Sequence, residues 1–408
     1  NFFLVPDSFD RDNETEKHFV DVEENYNTNT FYNIDFTSSP LFVKSNLPEV
    51  APKIFSGIIN NDVEINIATS PNYKLTTEID GKKYTVDFGY DVSEDDQKNM
   101  EFYIPLQLKF LKDKIGFLPQ KIFISNIKKK KNDFFGNDDI KFWKFKFQLF
   151  TDPEKIDMDY FSIISQELAD QLFFSNKKEN HWINNGLKTY WEIQYLEKFY
   201  KDYKLLGNLI NYKILGIKPL KYSFVSKLNL NERYGLAYQY IMAQNLDQKI
   251  DENLENLSNF NEIAISKFET GTLFNFISEK MGKENFENFV RNYISKNENK
   301  QIDKEAFLNE MAMKSGYSSS FMETYIQHKM RVNFKIKSFD IIDNQLHINI
   351  SKNTTQNIPF KLKVEDSKGN EKFYWYDTNN KIGKSSYIIP DEDVSKVTIN
   401  SNYAFPES

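Results

Sequence analysis

Five consecutive residues, Gln166-Glu167-Leu168-Ala169-Asp170, are followed at Asn185 by an amide and at Glu192 by a carboxylate. Their spacing is that of a catalytic centre, and their side chains are not. Two histidines four apart on a helix reach one metal ion, and a glutamate beside the first takes a proton from the metal-bound water. The same frame here keeps a candidate base at Glu167 and places Gln166 and Asp170 where imidazoles would stand. An amide oxygen and a single carboxylate are poor replacements for the His and Glu donors of catalytic zinc. Without an ion, water keeps a pKa of about 15.7 rather than about 7, and a carboxylate alone cannot deprotonate it at neutral pH.

The rest of the chain offers few substitutes. There is no Cys, which removes thiolate ligands, disulfides and a thiol nucleophile. The four histidines, His18, His181, His328 and His347, never fall within one helical turn of each other. His181 reads as a capping or surface residue, and Trp182, Tyr190 and Trp191 read as packing residues. Glu167 itself reads as a helix-surface carboxylate or the partner of a nearby lysine. Glu192 is accounted for by a buried hydrogen bond between helices. No metal and no cofactor is expected.

The elements that must position these residues follow from periodicity. Residues Phe161–Phe174 form an amphipathic helix whose stripe is Phe161, Ile164, Leu168 and Leu172, with Gln166, Glu167 and Asp170 pointing away from it. The pattern stays helical to about Met330, with breaks near 176–180, 216–219, Gly282 and Gly316. Upstream, short alternating runs flank Asp80-Gly81, a strong hairpin signal. After the acidic SEDDQ stretch a helix, FYIPLQLKFLKDKIG, ends at Gly116 and feeds the strand KIFISNI. Lys128–Lys131 reads as a solvated loop. FWKFKFQLF, from Phe142, reads as one strand with Trp143, Phe145, Phe147 and Leu149 on its apolar face, an edge able to accept a partner strand. Beyond Arg331 alternation returns, with a Ser-Lys-Gly-Asn turn, as in a small β-sandwich.

A chain of 408 residues is long enough for two or three cores. With 40% hydrophobic residues, 37 Phe and 23 Tyr, it has ample apolar surface to bury. A net charge of −7 argues against a nucleic-acid partner, and no apolar run is long enough to span a membrane. The sequence begins at Asn1 rather than Met, as expected of a processed or trimmed form.

The segment E-L-A-x-Q, with Trp182–Glu192 as W-x-N-x-G-x-x-x-Y-x-E, resembles the aminopeptidase N-like gluzincins, the zinc aminopeptidases of family M-one. Their pattern is H-E-x-x-H-x18-E, the last Glu lying within W-L-N-E-G. On this resemblance Gln166 and Asp170 occupy the histidine positions, Glu167 that of the general base, and Asn185 that of the third ligand. Fourteen residues separate Asp170 from Asn185, so the joint between the helices is rebuilt. The G-x-M-E-N loop is missing; the one glycine available there is Gly136. Glu232, in NERYGLAYQY, stands where the family has its transition-state Tyr. The likeness extends from Glu101 to the end.

It implies an α+β fold: a β-rich region over 1–95, truncated or divergent; a thermolysin-like peptidase domain, small sheet plus helical bundle, over 96–330; and a β-sandwich-like domain over 331–408. The function implied is that of a catalytically inactive peptidase-like protein, a pseudoenzyme serving as scaffold or accessory subunit of a bacterial envelope complex, outside the cytoplasm. Its partners are then other proteins. A peptide-binding module using the former cleft, and an active aminopeptidase with an altered metal site, are the alternatives.

Overall fold

The computed structural model describes residues 30–59, 63–130, 140–142, 145–172, 180–213, 217–297, 303–329, 332–343, 345–379, 381–390 and 393–399. It begins with five short strands: β1 (Thr30–Asp35), β2 (Phe42–Ser45), β3 (Glu49–Ala51), β4 (Ile54–Ile59) and β5 (Ile65–Ala68). They form a β1-β4-β3 sheet and a β2-β5 pair. Next, β6 (Lys74–Ile79) and β7 (Lys82–Phe88) make the hairpin expected at Asp80-Gly81, whose φ angles of 50° and 75° are those a tight two-residue turn demands.

Helix α1 (Glu94–Ile115) then crosses to β8 (Lys121–Ile124), which pairs parallel with β7. The acidic stretch expected to precede this helix is its first turn. Ser93 accepts a bond from the Asp96 N–H, and Glu94, Asp95 and Asp96 sit where the helix dipole favours negative charge. Gly116, at φ 94°, closes the other end.

Directly after β8 comes the short helix α2 (Asn126–Lys130). The run expected to be one strand is instead a hairpin of β9 (Ile140–Phe142) and β10 (Phe145–Phe147), with Phe145 opposite Phe142. Alternation persists through both halves and hides the reversal; Trp143 lies outside the described residues.

Two helices carry the candidate site. Helix α3 (Asp152–Leu172) begins nine residues before Phe161. Helix α4 (His181–Phe199) is buried on every face from His181 to Leu196. Such a helix usually reads apolar all round; this one holds Asn184, Asn185, Lys188, Thr189, Glu192 and Gln194 in the interior. Every one of those groups needs a polar partner to offset its lost hydration.

The described residues of 201–231, expected to be helical, contain three short 3-10 turns, Gly207–Asn211, Pro219–Tyr222 and Phe224–Lys227. Gly207 at positive φ and Pro219 interrupt any longer helix. Helix α5 (Glu232–Ala243) follows. A continuous helical rod then runs through α6 (Asn259–Asn261), a π-helical stretch (Glu262–Glu269) and α7 (Thr270–Met281). A β-carbon on Gly186 of α4 would meet Thr270 Cγ2 at 2.4 Å, and one on Gly271 would meet Thr189 Cβ at 2.4 Å. The two glycines therefore let α4 and α7 approach backbone to backbone.

Helices α8 (Lys283–Lys296), α9 (Lys304–Ser315) and α10 (Ser319–Gln327) complete the bundle, with Gly282 and Gly316 at the expected breaks. The C-terminal strands are β11 (Phe334–Ile342), β12 (Gln345–Lys352), β13 (Pro359–Glu365), β14 (Glu371–Asp377), β15 (Gly383–Ile389) and β16 (Lys396–Ile399). They form two antiparallel sheets, β11-β12-β15 and β14-β13-β16. Phe360 joins the sheets, its ring centroid 5.4 Å from Phe334 and 4.9 Å from Tyr387. Contacts such as Phe276 with Trp375, at 5.0 Å, tie the strands to α7.

Candidate functional site

On α3 the two positions four apart meet each other. Gln166 Nε2 donates to Asp170 Oδ1 at 3.1 Å, so one amide proton and one carboxylate lone pair are used within a single turn. Glu167, between them, is buried, which corrects its expected place on the helix surface. The side of α3 away from the apolar stripe faces protein as well. Gln171 Nε2 donates to Glu167 Oε1 at 2.7 Å, and the ammonium of Lys128 donates to Glu167 Oε2.

Lys128 reaches this position because Ser125, at the end of β8, accepts the Lys128 N–H at 3.2 Å and starts α2. The same ammonium lies 3.3 Å from Glu64 Oε2, just before β5. Within the run expected to be a solvated loop, Lys128 instead enters the protein from a short helix, and the exposed Lys129 lies 4.5 Å over the Tyr90 ring; Lys131 lies outside the described residues. Burial works against the Lys128 charge, but Glu167, Glu64 and Asp170 outweigh it and raise its pKa above the ordinary lysine value. Burial pushes the Glu64 carboxyl up; Lys128 pulls it down and Glu167 adds to the rise.

The other sequence-selected residues are engaged elsewhere. Asn185 Nδ2 donates to Ser266 Oγ of the π-helical stretch at 2.9 Å. Glu192 forms an ion pair with Lys188 at 2.9 Å, both side chains essentially inaccessible, and accepts from the Tyr234 hydroxyl of α5 at 3.3 Å. The latter is the helix–helix bond expected of it. Nearby Arg233 is lowered to about 10 by burial, despite Tyr234 and Glu192. Glu232 accepts the Asn229 N–H at 3.0 Å in the turn that opens α5, and burial raises its pKa. His181 is buried at the start of α4, not on the surface.

Zinc does not fit this set. The frame residues bond to one another or to Ser266, and the candidate base holds an ammonium. Among the described residues no three His, Asp or Glu side chains converge as a metal site. Sequence reasoning missed Lys128, Glu64 and Ser266. A serine closing a strand just ahead of the lysine run was the available signal for the first; Glu64 and Ser266 lie in runs that show none.

A second polar cluster surrounds a cavity of about 10 Å³, room for one water, bordered by Met242 and Ile250. There Tyr325 donates to Glu269 Oε1 at 2.8 Å, and Lys329 pairs with Asp247 at 3.3 Å. Burial raises Glu269 to about 8, opposed by Tyr325 and Lys329 and reinforced by Asp247.

Small sheets and a helical bundle make a mixed α+β fold consistent with that of a peptidase. Comparison supports this at the level of fold. The crystal structure of Legionella pneumophila aminopeptidase A in complex with aspartic acid is similar, with a TM-score of 0.53 at 12% identity. The match covers 90% of this chain and therefore extends upstream of Glu101, but it covers 42% of that protein, so the chain spans less than half its length. No family profile and no curated protein matches the sequence.

Proposed function

We propose that this chain is a noncatalytic, peptidase-like protein, working as a scaffold or accessory subunit of a protein complex in a bacterial envelope. The observation that carries the reading is the Lys128 ammonium bonded to Glu167. A gluzincin base must face a metal-bound water, and here its lone pairs are taken by a lysine and by Gln171. A fixed positive charge at that carboxylate also opposes the arrival of a dication. The resemblance to zinc aminopeptidases supports the fold's ancestry and a setting outside the cytoplasm. Among the described residues no helix is long and apolar enough to cross a membrane.

The test is a panel of fluorogenic aminoacyl substrates presented to the full chain, with and without added zinc, beside Glu167→Gln. The reading expects no turnover above the variant's background, and stable partner proteins in a native pull-down. Turnover that Glu167→Gln abolishes overturns it.

A further inference from the structure

The loop between α4 and α5 is closed at its neck and apolar at its tip. Lys204 and Asn229 form an antiparallel bridge; the Leu205 N–H donates to Leu228 O and the Leu230 N–H to Tyr203 O, both at 3.0 Å. The ends are thus pinned together, with Leu228 buried and Leu209 packed partly against the core. None of its three 3-10 turns contains a buried residue. Instead Tyr222 is 83% exposed, Phe224 67% and Ile217 66%, with Tyr212 and Val225 also outward. Aromatic and aliphatic side chains clustered on one exposed loop mark an interaction surface.

Its charge says what kind. Between Asp202 and Glu232 there is no acidic residue, while Lys213, Lys218, Lys221 and Lys227 all lie within the loop, in a chain whose net charge is −7. Lys213, Lys221 and Lys227 are exposed. Lys218 donates to Asn211 Oδ1, at 3.1 Å. Basic residues interleaved with exposed aromatics fit a bilayer interface: rings settle at headgroup depth and ammonium groups meet lipid phosphates.

We propose that residues 217–227 of this loop, with Lys213, dock this protein on an anionic membrane surface. The contact is peripheral, by insertion of Tyr222, Phe224 and Ile217 and by attraction of the lysines. It is independent of whether the α3 frame is catalytic.

The test is co-sedimentation of the full chain with vesicles of phosphatidylglycerol and phosphatidylethanolamine, against pure phosphatidylcholine, at low and high salt. Each lysine near such a surface is worth about a fivefold gain in partitioning. Lys213→Gln/Lys221→Gln/Lys227→Gln should therefore lose about 100-fold, and Tyr222→Ser/Phe224→Ser at least about tenfold. Both variants should melt as the parent does, because the substituted side chains are exposed. High salt should weaken binding by screening. Failure of the parent chain to bind anionic vesicles overturns the proposal, including where it binds an acidic protein instead. Binding that either variant leaves intact overturns it as well.

Discussion

Two lysine–glutamate pairs in this molecule have the same chemistry and opposite settings. Lys188 and Glu192 stand one turn apart on α4 with side-chain exposures of 0% and 1%. Lys128 and Glu167 come from segments 39 residues apart, at 25% and 5%, with Glu64 as a second acid. The first pair lies deep in the bundle and is built by one helix. The second includes Glu167 of the frame that resembles a gluzincin zinc motif. A buried pair is costly to break because one charge is left without compensation, whereas a partly hydrated pair can recruit water. The comparison separates polar groups that hold the fold from those left where a catalytic centre would be.

Lys188→Met should be the most damaging change, about 3–5 kcal/mol in denaturant unfolding, because Glu192 stays behind in the interior. Adding Glu192→Gln should recover part of that loss. Glu269 sharpens the contrast, since its bonded partner is a phenol rather than an ammonium. Tyr325, Asp247, Lys329 and, beyond Tyr325, Tyr238 of α5 surround it. Its folded pKa is raised from 4.5 to about 8. Its stabilising contribution is therefore complete below the ordinary glutamate value and is lost as pH rises towards about 8. Glu269→Gln should flatten that slope, making the variant more stable than the parent at pH 8.5 by on the order of a few kcal/mol.

Breaking the other pair should cost less. Lys128→Met should lose about 2 kcal/mol, read in the same unfolding experiment, since Glu64 keeps partial access to water and the buried Glu167 keeps its bond from Gln171. Least of all, Gln166→Ala should cost about 1 kcal/mol, the worth of one half-buried hydrogen bond within a helix. A metal ligand at that position would cost far more.

Local signals in the sequence were the readable ones. Asp80-Gly81, Gly116, Gly282 and Gly316 act on their own backbone, and each ends or turns the chain as its conformational freedom suggests. The alternation beyond Arg331 likewise appears as paired strands. The α3 frame was visible because its spacing is short. What it touches was not: Lys128 lies in a run that looks solvated, and its bond to Glu167 of α3 joins residues 39 apart in the chain. The hairpin at β9 and β10 was hidden by unbroken alternation, and the π-helical stretch by an apolar spacing close to that of an α-helix. Residues 217–225 read as part of a helical region, yet Ile217, Tyr222, Phe224 and Val225 are exposed, so little core contact selects a helix there.

Equilibrium dialysis of the full chain against micromolar zinc, with bound metal measured by mass spectrometry, tests the central claim most directly. The claim is that the Gln166–Glu167–Asp170 frame is closed by its own neighbours. The account predicts far less than one zinc per chain, unchanged in Asp170→Ala. One zinc held per chain and lost in Asp170→Ala would contradict it.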